Sequence, residues 1–130
     1  KLNRPMRYIR LSEVPDIDRD VLSEQQVISH ELAQAEGRGA LACDNEQVCG
    51  IMVNEEDHLR IQAILPGLQL KEAYEKASEL DDGLEQELKY AYDGKWGYLT
   101  SCPTNVGTGM RASVMLHLPG LEMTKNITGV

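Results

Sequence analysis

The sequence predicts an α+β fold, an antiparallel sheet flanked by helices, and three stretches carry that prediction. Gly37 to Val53 reads as a hairpin, with the small or apolar runs Ala40 to Cys43 and Val48 to Val53 separated by the polar turn Asp44-Asn45-Glu46-Gln47. A further strand starts at His58 and runs to Leu65, where Pro66-Gly67 ends it. Leu68 to Tyr92 places Leu70, Ala73, Tyr74, Ala77, Leu80, Leu84, Leu88 and Ala91 at steps of three and four, an apolar stripe that would lie on one sheet face. Short connections between successive strands imply antiparallel pairing.

The remaining elements follow in chain order. Met6 to Leu11 reads as a short strand interrupted by Pro15, and Arg4, Arg7 and Arg10 around it read as solvated charges rather than a phosphate clamp. Ile17 to Ala35 is helical or loop-like; Ser23 and Gln26 have capping-box spacing, and Val27, Ile28 and Leu32 form a candidate buried stripe. On the long helix, Glu72 with Lys76 and Glu85 with Lys89 are i,i+4 pairs, Gly83 is an expected kink, and the acids from Glu79 to Asp82 are a solvated face. Asp93-Gly94 ends that helix, and segments near Tyr98 and Arg111 are expected to complete the sheet.

At 130 residues the chain is the length of one domain, residues 1–130, with a modest core. A net charge of −8 and a pI near 4.8 argue against general nucleic-acid binding, which leaves a basic footprint. No apolar run of about eighteen residues and no signal-peptide pattern occurs, so a soluble, cytoplasmic protein with no membrane partner is expected. Three cysteines, Cys43, Cys49 and Cys102, without a C-x-x-C pair suit a reducing compartment, and their spacing with His30 argues against zinc. Asn126-Ile127-Thr128 matches a glycosylation pattern by chance, and phenylalanine is absent. A start at Lys1 and a polar run before Val130 give the look of an excised piece.

Two stretches carry chemistry. Tyr98 to Gly120 (YLTSCPTNVGTGMRASVMLHLPG) places Cys102 before a proline, small turn residues from Val106 to Gly109, and Arg111 at the head of an apolar run. The turn residues allow close backbone approach to a ligand, Arg111 offers a planar fork for phosphate or carboxylate, and Cys102 is a candidate functional thiolate. Asn54 to Arg60 (NEEDHLR) sets three acids before His58 and Arg60. On an extended chain Glu56, His58 and Arg60 would share one face, with Glu55, Asp57, Leu59 and Ile61 on the other. Without further context Arg60 and Arg111 read as partners of surface acids, and His58 and His117 as structural.

NEEDHLRI followed by LTSCPTNVGTGMRASV resembles the phosphagen (guanidino) kinase family, whose members carry near-identical strings in this order. The resemblance covers nearly all of residues 20 to 125. Met115 after RASV, where kinases of free arginine or creatine usually have histidine, together with MLHLPG, is more similar to the bacterial protein-arginine kinase branch.

What the resemblance implies is ATP-dependent phosphorylation of arginine guanidinium groups in proteins, with Mg2+ bridging phosphate oxygens. It implies that Glu56 orients the guanidinium and accepts its proton, that Cys102 polarises another guanidinium nitrogen, and that Glu55 belongs to the same substrate site. Arg60 and Arg111 would hold the nucleotide phosphates, and no protein metal ligand is assigned. An upstream S-S-R-x-R arginine pair, a downstream acid and arginine, and the smaller helical domain of the family are not found, so this chain alone is expected to bind ATP weakly or not at all. Expected partners are ATP, proteins presenting arginine, an activating adaptor and a second copy of the chain. A phosphagen kinase acting on free arginine or a related guanidino compound, and a non-catalytic binding or regulatory module, are the alternative readings.

Overall fold

The computed structural model describes residues 5–35, 37, 39–125 and 127. Along the chain run β1 (Arg7–Arg10), α1 (Asp16–Glu24), α2 (His30–Gln34), β2 (Ala40–Cys43), β3 (Cys49–Val53), β4 (Leu59–Ala63), α3 (Leu70–Glu85), β5 (Tyr92–Asp93), β6 (Gly97–Tyr98) and α4 (Pro119–Met123). The first four strands form an antiparallel meander in the order β1-β2-β3-β4, with Leu41 opposite Met52 and Ile51 opposite Ile61.

Because side chains alternate across a strand, this register sends two apolar sets to opposite faces. Leu41, Cys43 and Met52 cluster with Leu11, Val27, Ile28, Leu32 and Ala33 under the α1–α2 segment. Cys49 and Ile51 meet Leu80 of α3 on the other face, with Leu59, Ile61, Ala63 and Leu84 beside them. Helices therefore cover both faces, which is why ALAC and CGIMV read as continuous apolar runs. In β4 the alternation persists: Gln62, between the inward Ile61 and Ala63, donates instead to the carbonyls of Gln26 and Val27, both at 2.9 Å, and ties the sheet to the end of α1.

β1 is an edge strand with exposed Arg7, Tyr8 and Arg10, and Arg10 pairs with Glu13 at 3.4 Å, the solvated arrangement expected of an edge. Arg4, and Asn126 and Thr128 of the glycosylation-like triplet, lie outside the described residues.

The structure corrects the sequence reading at several points. α3 ends at Glu85 rather than Tyr92 and runs unbroken through Gly83. Tyr92 leaves the helical pattern because Asp93 Oδ1 accepts from the N–H groups of Lys95 and Trp96, at 2.8 and 3.0 Å, and folds the chain into the β5–β6 hairpin. The rings of Tyr90 and Tyr92 meet Tyr98 edge-on, with centroids 6.0 and 5.2 Å apart. The Tyr98 strand thus belongs to a separate two-stranded ribbon. Residues 110–118, with Arg111, form neither strand nor helix, since the main sheet offers that run no partner among the described residues.

Ser23 is not an N-cap but lies in the last turn of α1; Ser29 caps α2, its Oγ accepting from the Leu32 N–H at 3.1 Å. On α3 Lys71 pairs with Glu75, at 3.8 Å, and Glu85 accepts a hydrogen bond from the Tyr98 hydroxyl.

Leu80 is 1 % exposed and is the buried anchor of α3, whereas Tyr74 on the predicted stripe is 57 % exposed because the covered sheet face is narrow. Leu80→Ala is expected to lower unfolding free energy by about 2–5 kcal/mol in urea titration, and Tyr74→Ala by less than about 0.5 kcal/mol.

Candidate active site

The three acids fall on the turn between β3 and β4. Asn54 adopts a left-handed conformation (φ 56°), which asparagine tolerates, and its N–H donates to the His58 carbonyl at 3.0 Å to close the turn. Around so tight a turn side chains radiate instead of alternating, so the shared face expected for Glu56, His58 and Arg60 does not form. Glu55, expected on the opposite face, is the partner of Arg60.

Glu55 turns inward and its side chain is 5 % exposed. Its Oε1 accepts from Arg60 Nη1 at 3.0 Å, Oε2 accepts from the Glu56 N–H at 2.7 Å, and the Ser29 hydroxyl donates to the same carboxylate. Ser29 therefore caps α2 with its oxygen and serves Glu55 with its proton. Burial, the largest single influence, pushes the Glu55 carboxyl up; the Glu56 N–H, the Ser29 hydroxyl and the Arg60 guanidinium together outweigh it and hold the group below its ordinary value.

Asp57 turns the other way, and its Oδ1 accepts from the Ser101 N–H at 2.7 Å. Glu56 alone of the three is exposed, and its carboxylate has no hydrogen-bond or ion-pair partner among the described residues. Asn54 to His58 form one wall, and Leu99, Thr100 and Ser101 the other, of an open cleft of about 510 Å³.

The second wall begins a loop braced by its own backbone. At its base the Tyr98 N–H donates to the Gly107 carbonyl at 2.9 Å, and the Gly107 N–H returns to Tyr98 at 3.1 Å. Gly97 (φ 79°) is required there, because a Cβ on it would stand 2.4 Å from the Gly107 oxygen. The turn glycines thus serve an approach of backbone to backbone. Within the loop the Cys102 carbonyl accepts from the Thr100 hydroxyl at 2.7 Å and from the Asn105 N–H at 3.0 Å. Cys102 Sγ lies 2.9 Å from the Thr104 hydroxyl.

The structure brings Glu55, Glu56 and Arg60 together, and the bond from Ser101 to Asp57 brings the residue before Cys102 to the same cleft, whose lining stops at Ser101. Arg111 is exposed beyond the loop and has no ion-pair partner among the described residues. His58 lines the cleft rather than the core. Cys43 and Cys49 are buried core residues, and burial pushes the Cys43 thiol up, away from reactivity. Sequence reasoning assigned no role to Ser29, Asp57, Ser101 or Thr104. Ser29, directly before a helical stretch and after the apolar Ile28, carries a local capping signal; the Asp57 to Ser101 bond spans 44 residues and leaves none.

A family model for the C-terminal catalytic domain of ATP:guanido phosphotransferases matches residues 1–130. The chain is 57 % identical over 123 residues to a protein-arginine kinase of Halothermothrix orenii, covering 94 % of this chain and 35 % of that protein. It is 58 % identical over 122 residues to a protein-arginine kinase of Desulforamulus reducens, covering 93 % and 34 %. The chain thus spans about a third of the length of these curated relatives. Among solved structures, the duplicated taurocyamine kinase of Schistosoma mansoni aligns with a TM-score of 0.82 at 27 % identity, over 95 % of this chain and 19 % of that one. A lombricine kinase aligns at 0.68 and 25 %, over 95 % and 38 %. The α+β architecture is that of these guanidino kinases.

The depressed Glu55 carboxyl has a consequence for stability. A group whose folded pKa lies below its ordinary value of 4.5 stabilises the fold above that pH and loses this contribution as pH falls through the folded value. Unfolding free energy is therefore expected to drop on acidification below that point. Glu55→Gln is expected to cost roughly 1–3 kcal/mol at neutral pH and to flatten this acid limb, read by denaturant titration at a series of pH values.

Proposed function

The chain belongs to the ATP:guanido phosphotransferase family, and from that premise we propose that it is part of the catalytic domain of a kinase transferring the γ-phosphoryl group of ATP to arginine side chains of proteins. The observation that supports the residue roles is the unequal engagement of the three acids. Glu55 and Asp57 are bound to protein groups, and Glu56 is open at the cleft.

A guanidinium is protonated at neutral pH, so its attacking nitrogen must lose a proton as the N–P bond forms. The Pγ–O bond breaks with its electron pair remaining on the departing ADP. In this reading Glu56 orients the guanidinium through charge-assisted hydrogen bonds and accepts that proton. Cys102, as a thiolate, faces another guanidinium nitrogen and stabilises positive charge there, with the Thr104 hydroxyl placed to donate to the sulfur. Arg60, aimed by Glu55, and Arg111 bind nucleotide phosphates and offset charge on the transferring group. Glu55 contributes to the substrate site through the Glu56 backbone and Arg60.

Among the described residues no group of three or more His, Cys, Asp or Glu side chains could hold a metal ion. Mg2+ would arrive with ATP, where it would neutralise phosphate charge.

Arginine in proteins is favoured as acceptor because the relatives named protein-arginine kinase are 57–58 % identical, whereas the taurocyamine and lombricine kinases are 25–27 % identical. Action in the bacterial cytoplasm, an activating adaptor and self-association belong to the same proposal. Exposed Met115 (80 %) and the neighbouring Leu116 support burial against further protein. No helix among the described residues is long and apolar enough to cross a membrane.

The test is to incubate the full-length protein with magnesium-ATP and either an arginine-rich protein or free arginine, and to measure acid-labile phosphoarginine by mass spectrometry. Phosphorylation of the protein substrate is expected, with kcat lowered roughly 10²- to 10⁴-fold by Glu56→Gln and strongly reduced by Cys102→Ala. Product from free arginine alone would favour a small-guanidino kinase, and none from either would favour a non-catalytic binding module.

A further inference from the structure

The mechanism above leaves one carboxylate of the acidic turn unassigned. We propose that Asp57 is a positioning residue that sets the gap between Glu56 and Cys102, acting through the reach of its side chain rather than its charge. This inference rests on the proposed roles of Glu56 and Cys102.

The geometry is direct. Asp57 Oδ1 accepts from the Ser101 N–H at 2.7 Å, joining the two walls of the cleft. Each end of that bond is one residue from a proposed catalytic group: Asp57 follows Glu56, and Ser101 precedes Cys102. Adjacent Cα atoms are held about 3.8 Å apart by the planar peptide, so little slack separates the bond from the chemistry.

Each wall is also braced within itself. The Asn54 N–H to His58 carbonyl bond closes the acidic turn, and the Tyr98–Gly107 pair and the two bonds to the Cys102 carbonyl hold the other loop. Two internally stiff loops move as bodies, and a bond across them fixes their separation.

The donor is a backbone N–H, which any residue except proline would present at position 101. The constraint therefore falls on residue 57, where an oxygen must stand one methylene from the chain. Glutamate keeps the charge but carries the oxygen farther out. Asparagine loses the charge and keeps an acceptor at the same reach. Charge and reach can thus be separated by substitution.

The experiment compares Asp57→Asn, Asp57→Glu and Asp57→Ala in the full-length protein, reading kcat and the KM for ATP on an arginine-rich protein. Site-resolved alkylation of Cys102 by iodoacetamide is followed in the same samples without nucleotide. Asp57→Asn is expected to stay within about threefold of wild type, while Asp57→Glu and Asp57→Ala lose roughly tenfold or more in kcat, with the KM for ATP changed less than about twofold. Cys102 alkylation is expected to accelerate in the Glu and Ala variants and not in Asn.

If glutamate retains activity and asparagine loses it, charge matters and the inference is overturned. Unchanged kcat and unchanged alkylation in the Glu and Ala variants overturn it equally. Should thermal melting show that Asp57→Ala does not fold, the Asn and Glu pair decides. Should the wild type phosphorylate no arginine, the proposed function fails by itself, and the order of the alkylation rates still decides the role of Asp57.

Discussion

A carboxylate removed from water remains an anion only where donors replace its lost hydration, and Glu55 has three of them. One comes from the neighbouring peptide, one from the residue that caps α2, and one from the next strand. The same group therefore shapes the turn, fastens a helix on one face of the sheet, and aims a guanidinium outward from β4. Removing any of these donors would leave a buried charge underpaired, which makes the arrangement mutually dependent. The site is anchored to the core cluster under α1 and α2 through Ser29, whose neighbours Ile28 and Leu32 are core members.

From that anchor the functional division follows. A turn of three consecutive acids has no common face, so each carboxylate meets a different environment. The inward one is held by the protein, the lateral one holds the opposite loop, and the middle one is left to solvent. Like charges this close repel, and bonds to protein donors offset that repulsion for Glu55 and Asp57. Glu55 is balanced by the Arg60 guanidinium and Asp57 is held by a peptide N–H, so Glu56 is the carboxylate of the turn with no protein partner among the described residues.

Much of the scaffold was legible because it is periodic. The strands at Arg7–Arg10, Ala40–Cys43, Cys49–Val53 and Leu59–Ala63 match apolar runs bounded by turn residues, and Leu80 and Leu84 lie on the helical stripe. Failures came where a local pattern met a competing contact. Leu88 and Ala91 continue the helical spacing, yet the tyrosines and the Asp93 turn draw the chain into a hairpin. The apolar run after Arg111 has strand composition and no strand to pair with among the described residues. At the site, the roles proposed for Glu56 and Cys102 rest on the strings around them through family resemblance. The assumption of an extended chain gave Glu56, His58 and Arg60 a common face that does not form, because the Asn54–His58 bond bends the backbone just where alternation was presumed. Bonds such as Glu55 to Ser29 and Asp57 to Ser101 join distant segments and leave no imprint on spacing.

The contact between Gly97 and Gly107 gives the cysteine loop a further property. Its two ends meet through peptide groups, at a separation that admits no side chain, so the loop is a ring of set circumference. Changes in side-chain chemistry around such a ring need not disturb its closure. A change in the number of links must, because an added or lost residue shifts which carbonyl meets which N–H at the neck and rotates the thiol relative to the cleft. Over evolutionary divergence this segment should therefore be permissive to substitution at outward positions and resistant to insertion or deletion, behaving as a spacer measured in residues.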